Sequence, residues 1–309
     1  MSRLAILCPG QGAQHGAMFE LARQDAGVAE QIQKWSLSDR LGMPLDRILA
    51  DPSAMFANRI AQPLIVAATL AAWAAVRQLL PTPALVAGYS IGEVAAYCVA
   101  GAISATDAIA LAAARAALMD RCAQPDAPQS MVSVIGVPAA VVADLLRQHH
   151  LHLAIEVGET SIIAGGLSRA FAPFNAIIES MGGAVNPLPV GVASHTPLMT
   201  AALEDFSDLL ERCTFADPRI AVLSGIRAEP VRQRQQAKAD LAQQMVQAIR
   251  WKDCMDRCAE QGITLALELG PGAALARMLH SRHPHIACRS LQDFRSLHGV
   301  AAWIKRHAD

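Results

Sequence analysis

Charge is scarce in this sequence, and neither sign is in excess. Only 17% of the 309 residues are charged, and the formal net charge is −1. A nucleic-acid partner would require a clear basic excess, so that class is excluded. Hydrophobic residues reach 53%, which excludes intrinsic disorder and allows a large core. Much of that apolar content is alanine, which favours tightly packed helices. Long charge-free apolar runs are also missing. Leu64 to Leu80 contains Arg77, and Val94 to Met119 contains Asp107 and Arg115, so neither stretch reads as a membrane span. The opening MSRLAILCPGQG reaches proline and glycine too soon for a signal-peptide core. Seven cysteines are scattered without a disulfide framework and suit a reducing, cytoplasmic compartment. Cys254 and Cys258 share a helical face, but no second pair completes a zinc site, and no metal is expected. There is no internal repeat and no low-complexity tract.

The length fits one large domain with a smaller insertion. Arg3 to Cys8 reads as a strand ending at Pro9-Gly10. Gln62-Pro63 opens a helix to about Leu80, since proline is tolerated at the first helical position. A strand over Ala84 to Ala87, a turn over Gly88 to Gly92, and helices over Glu93 to Ala100 and Asp107 to Arg121 follow. After a linker at 123–129 the order becomes βαββαβ up to Val192, the ferredoxin-like unit. Strand and helix then alternate again, with a helix over Lys238 to Ile249 and a strand over Leu265 to Leu269. The expected fold is therefore an α/β core with a mainly parallel sheet flanked by helices. Its two parts, 1–127 and 193–309, enclose a small ferredoxin-like domain at 128–192.

Chemistry concentrates at a few points. Gly88-Tyr89-Ser90-Ile91-Gly92 lies between a short apolar strand and a helix, the context of a G-x-S-x-G nucleophile elbow. An ordinary Gly-Ser turn is the alternative, and the flanking strand and helix favour the elbow. Pro9-Gly10-Gln11-Gly12 ends the first strand at the usual ligand face of an α/β sheet. Its Gln11 amide could supply an oxyanion donor, although the loop alone reads more readily as a plain βα turn. It lacks the third glycine of a dinucleotide fingerprint.

His195, where the small domain returns to the large one, is the best base for Ser90. His280, His283 and His285 form a cluster better read as surface or helix-capping groups than as a metal site. Arg115 stands in the apolar run Ala108 to Met119 and needs an anionic partner there. That partner is either a structural carboxylate or the carboxylate of a substrate.

Together these residues resemble the malonyl-CoA:acyl carrier protein transacylase family across essentially the whole chain. Cys8 to Gln14 resembles its opening FPGQGSQ, and Gln62-Pro63 its helix-opening Gln-Pro. Gly88 to Glu93 resembles its GHSxGE, and Arg115, 25 residues after Ser90, its substrate-binding arginine. Ser194-His195 with Leu198-Met199 resembles its histidine motif. Arg250-Trp251 and Glu268 to Gly272 resemble its closing motifs.

The resemblance implies a hydrolase-like α/β domain carrying a ferredoxin-like one, and a ping-pong reaction with no bound cofactor. Ser90 would attack malonyl-CoA while His195 takes its proton, and the amides of Gln11 and Ile91 would hold the oxyanion. Arg115 would bind the malonyl carboxylate, and an acyl carrier protein thiol would receive the group. The family orients its histidine by a backbone carbonyl. The resemblance points to Gln247 for that role, with Gln244 as second choice, and to Gln62 in the pocket.

Tyr89 replaces the family's histidine before the serine, Cys8 its phenylalanine, and Ala116 its glycine after the arginine. This pattern resembles the epsilon subunit of malonate decarboxylase, which loads that system's own carrier subunit. An α/β-hydrolase thioesterase is a rival reading, but it expects an acid between serine and histidine, after a late strand. A non-catalytic docking domain is another, disfavoured by retention of Ser90, Arg115 and His195 together. Arg227, Arg232, Arg234 and Lys238 are either a docking face for an acidic carrier or a solvated surface, the latter favoured.

Overall fold

The computed structural model describes residues 2–308. Among the described residues, eleven strands form two sheets in a mixed α/β fold. They are β1 (Leu4–Cys8), β2 (Leu85–Gly88), β3 (Gln129–Ile135), β4 (His152–Gly158), β5 (Ser161–Leu167), β6 (Ala184–Pro187), β7 (Ala221–Leu223), β8 (Pro230–Val231), β9 (Ile249–Arg250), β10 (Leu265–Glu268) and β11 (Ala287–Ser290).

The larger sheet has the order β11-β10-β1-β2-β7-β8. It is parallel except for the β7–β8 pair at its edge. Every residue of β1 is buried, as a strand covered on both faces requires. Leu4, Ile6 and Cys8 pack into one core, while Ala5 and Leu7 pack into another on the opposite face. Cys8 pairs with Gly88, and Leu7 with Glu268. This register ends three parallel strands side by side. The Pro9 loop, the Ser90 turn and the Gly270 loop therefore open on one edge of the sheet.

The second sheet has the order β6-β3-β5-β4-β9. Helices Ala139–Gln148 and Phe171–Ser180 pack a separate core against it through Val142, Leu146, Phe174 and Ile178. Its fifth strand, β9, comes from beyond His195 and runs parallel to β4, an addition the sequence reading did not include. Pairing in β6 stops at Pro187, well short of the expected Val192, where Pro187 and Pro189 remove ladder donors.

Two helix boundaries also differ from expectation. The long helix begins at Asn58, so Gln62-Pro63 lies inside it rather than opening it. Pro63 removes one bond to the carbonyl of Arg59, which is exposed, so the loss is tolerable. This helix is long and apolar enough to cross a membrane, yet 83% of its apolar window is buried within the protein. The later helix ends at Gln243 rather than Ile249. Cys254 and Cys258 are buried thiols on helix Trp251–Glu260.

The close approach of β1 to the helix after β2 admits no side chain at Gly92. A Cβ there would lie 2.2 Å from the Cys8 carbonyl oxygen and 2.6 Å from that of Pro9. Both obstacles are backbone. Gly92→Ala should therefore destabilise the protein by about 1–3 kcal/mol or more. Urea denaturation checks this, and an unchanged midpoint would contradict the packing described.

Candidate active site

Ser90 lies two residues past the end of β2 and adopts φ 55°, a left-handed conformation that non-glycine residues seldom take. Such strain, of order 1–3 kcal/mol, persists only where the surroundings enforce it. Here the turn is pinned on both sides. A Cβ on Gly88 would lie 2.3 Å from Glu93 backbone atoms, and one on Gly10 would lie 2.8 Å from the Tyr89 carbonyl. The elbow thus presses against the Pro9-Gly10 loop. The backbone amides of Gln11 and Ile91 donate no hydrogen bond among the described residues; Ile91 follows Ser90 directly, and Gln11 follows Gly10, which packs on the Tyr89 carbonyl. Beside it, the Tyr89 ring meets Trp251 edge-on at 5.2 Å.

His195 is also left-handed, at φ 62°, and 1% exposed. Its Nε2 lies 2.7 Å from Ser90 Oγ and its Nδ1 2.6 Å from the Gln244 carbonyl oxygen. Its backbone N–H donates to the Met245 carbonyl at 2.9 Å. A carbonyl only accepts, so Nδ1 must carry the proton and Nε2 must accept from the Ser90 hydroxyl. An alcohol held on a neutral, anchored imidazole can attack as its proton leaves.

No carboxylate contacts His195 among the described residues. The carbonyl of Gln244, the C-cap of helix Arg234–Gln243, takes that place, and the negative end of a helix dipole favours a positive imidazole. The acceptor is therefore Gln244, not Gln247. The earlier helix end puts the free carbonyl at Gln244, while the Gln247 side chain bonds Gln243 instead. Burial foremost, then the nearby Arg115 charge, lowers the His195 pKa from 6.5 to about 3.

Arg115, on helix Ala105–Asp120, is 2% exposed. Its Nη1 donates to Gln62 Oε1 at 2.7 Å and its Nη2 reaches Gln244 Oε1 at 3.4 Å. No carboxylate lies within ion-pair distance among the described residues. Burial lowers its pKa to about 10, opposed by the field of Glu93, and leaves it a cation at neutral pH. Two neutral amides occupy two of its five donors, leaving capacity for an anion. Gln62 thus belongs to Arg115 rather than to the histidine. Asn58 and Met119 accept from its Nε2 and hold its amide in that orientation.

Glu93 and the Gln244 side chain were missed by sequence reasoning. Glu93 is fully buried, and its Oε2 accepts from Gln244 Nε2 at 2.5 Å and from the Gly225 N–H at 3.0 Å. An acid immediately before the apolar run Val94 to Val99 is the same kind of signal that singled out Arg115. In the closing motif, Glu268 accepts from the Ala276 N–H near the start of helix Ala274–Arg282.

Two of the four cations in the basic segment are paired. Lys238 pairs with Glu211 at 3.1 Å and Arg227 with Glu229 at 2.7 Å. In the late histidine cluster, His283 bonds Asp256 at 2.9 Å and His280 bonds the Ile286 carbonyl.

Residues 6–309 match the acyl transferase domain family. The chain belongs to that family. The acyltransferase is 34% identical over 282 residues to the malonyl CoA-acyl carrier protein transacylase of Mycobacterium bovis, covering 88% of this chain and 91% of that one. The corresponding protein of Haemophilus influenzae is 27% identical, covering 98% and 100%. The crystal structure of MCAT from Mycobacterium tuberculosis superposes with a TM-score of 0.89 at 32% identity, covering 97% and 99%. FabD from Acinetobacter baumannii gives 0.90 at 26%, covering 99% of each.

The acyltransferase should keep His195 neutral well below the ordinary range. Unfolded histidine binds a proton below about pH 6.5 and the folded residue does not. This group's contribution to stability is thus fully present above 6.5 and lost as pH falls from there towards about 3. Nitrogen-15 NMR of the imidazole should show one Nδ1–H tautomer from about pH 8 to pH 5. A titration midpoint near 6.5 would contradict the buried geometry.

Proposed function

We propose that the acyltransferase moves a malonyl group from coenzyme A to the thiol of an acyl carrier protein through a Ser90 ester. The observation that carries this reading is one connected chain. Ser90, His195 and the Gln244 carbonyl are hydrogen-bonded in series, and Gln244 also touches Arg115, a buried cation without a carboxylate partner. The malonyl CoA-acyl carrier protein transacylases to which the chain is similar support the donor and acceptor.

In the first half-reaction the Ser90 oxygen attacks the thioester carbon as His195 Nε2 takes its proton. The amides of Gln11 and Ile91 stabilise the oxyanion. The carbon–sulfur bond then breaks, and His195 returns the proton to the departing sulfur, releasing coenzyme A as a thiol. In the second half the carrier thiol gives its proton to His195 and attacks the ester, and Ser90 leaves as the alcohol. Arg115 holds the malonyl carboxylate throughout. The mechanism routes no step through a metal or bound cofactor.

We read the scaffold as a hydrolase-like core, 1–127 and 193–309, with a ferredoxin-like insert at 128–192. The insert braces the base, because Gln129 Oε1 accepts the Ala193 N–H at 2.8 Å, two residues before His195. Seven free cysteines suit action in the cytoplasm.

Brief exposure to malonyl-CoA should add one malonyl mass at Ser90, read by intact and peptide mass spectrometry. Ser90→Ala should abolish the adduct, and His195→Ala should slow it by about 10²–10⁴-fold. Arg115→Ala should lose malonyl transfer far more than acetyl transfer, because a buried charge-assisted pair is worth about 2–5 kcal/mol. An adduct surviving in Ser90→Ala sinks the mechanism, and equal loss of both acyl groups in folded Arg115→Ala sinks the carboxylate role.

Tyr89, packed on Trp251 beside the nucleophile, favours a finer reading in which the acceptor is the carrier subunit of malonate decarboxylase. Acceptor choice is a difference in transition-state binding at the pocket mouth and docking face. Offered both holo-carriers in competition, the enzyme should load the malonate decarboxylase carrier faster. Preference for a fatty-acid carrier would place the chain with fatty-acid synthesis and leave the Ser90 chemistry intact.

A further inference from the structure

We propose that Glu93, which touches neither Ser90 nor His195, is a positioning residue that holds the base in place through Gln244. The inference rests on the Ser90–His195 reading above. Gln244 does two things at once. Its backbone carbonyl receives the Nδ1 proton of His195, and its side-chain amide spans Arg115 and Glu93.

The carbonyl lies just past the last residue of helix Arg234–Gln243. The Met245 N–H of the same peptide unit donates to the Ala242 carbonyl at 3.1 Å, but no helical N–H donates to the Gln244 carbonyl itself. The side chain adds a second anchor, and its shortest contact is the 2.5 Å bond to Glu93 Oε2. The same oxygen accepts the Gly225 N–H, which ties the loop after β7 into the assembly. Glu93 sits three residues after Ser90, on the helix that the elbow starts. The nucleophile and the support of its base therefore move as one body.

Two roles for Glu93 can be separated by chemistry. A positioning residue needs reach and an acceptor oxygen. A counter-charge for Arg115 needs the negative charge. Glu93→Gln keeps reach and acceptor but removes charge. Glu93→Asp keeps charge but shortens the side chain by one carbon–carbon bond, about 1.5 Å. The surrounding ionisable groups, Arg115, Asp240, Tyr97 and Cys254, are the same in both variants.

The test measures acyl-enzyme formation from malonyl-CoA and from acetyl-CoA in both variants, after thermal melts confirm folding. Glu93→Gln should retain rates within about threefold of the parent. Glu93→Asp should lose up to about 10²-fold at saturation, the typical effect of a 1 Å misplacement. The loss should be equal for the two acyl groups, with the half-saturating malonyl-CoA concentration nearly unchanged. The reverse order of the variants, a loss confined to malonyl, or full activity in both would overturn the proposal. Should Glu93→Asp not fold, Gln244→Met cuts the same link from its other end. Acetyl transfer, which makes no demand on Arg115, must then fall by a similar factor, and an unchanged acetyl rate overturns the idea. A parent enzyme that forms no acyl adduct would instead refute the proposed function itself, so the two failures are distinct.

Discussion

The site depends on one hydrogen bond, from His195 Nδ1–H to the Gln244 carbonyl. It selects the tautomer that leaves Nε2 free to accept from Ser90. It replaces a buried carboxylate with a neutral oxygen at a helix C-terminus. That choice suits the surroundings. Two acids, Glu93 and Asp240, are already buried nearby, and burial with the Asp240 field pushes the Glu93 pKa up to about 8 despite its hydrogen bonds. A further acid beside His195 would add desolvation cost and like-charge repulsion. A helix end supplies a comparable field direction without a full charge.

His195 remains uncharged in the resting protein against the pull of this bond, which favours a protonated ring. Burial dominates, and the Arg115 cation adds to it. Arg115 itself is tolerated because amides, not carboxylates, occupy its inner face. An amide pair satisfies part of a guanidinium without neutralising it, so the positive field persists where an anion can enter. A direct Glu93–Arg115 pair would cancel that field. The Gln244 side chain, interposed between them, keeps the Glu93 carboxyl off the guanidinium.

Backbone constraint and packing serve the same end. Both Ser90 and His195 adopt left-handed conformations; backbone neighbours enclose the Ser90 turn, and the Met245 carbonyl accepts the His195 N–H. Gly88, Gly92 and Gly10 allow three chain segments to meet closely enough to hold the elbow. The second sheet acts on the opposite partner, through Gln129 on the Ala193 amide and the contact of Ser194 with Met131.

What the sequence determined by itself was local. Apolar strands ending in glycine turns, a serine between two such glycines, and a cation inside an apolar helix are all short-range patterns. They named Ser90, His195 and Arg115, and the alternation of strand and helix named the α/β core. The short strand β9 was not legible, because two residues carry no periodicity and its pairing with β4 is made across nearly a hundred residues of chain. The histidine's acceptor was misplaced from Gln244 to Gln247, because no residue preference marks where that helix stops, and a backbone carbonyl has no side-chain signature. Only the tertiary structure could join Glu93, Arg115 and Gln244, three residues on separate elements whose relation exists only once the sheet register has brought those elements together.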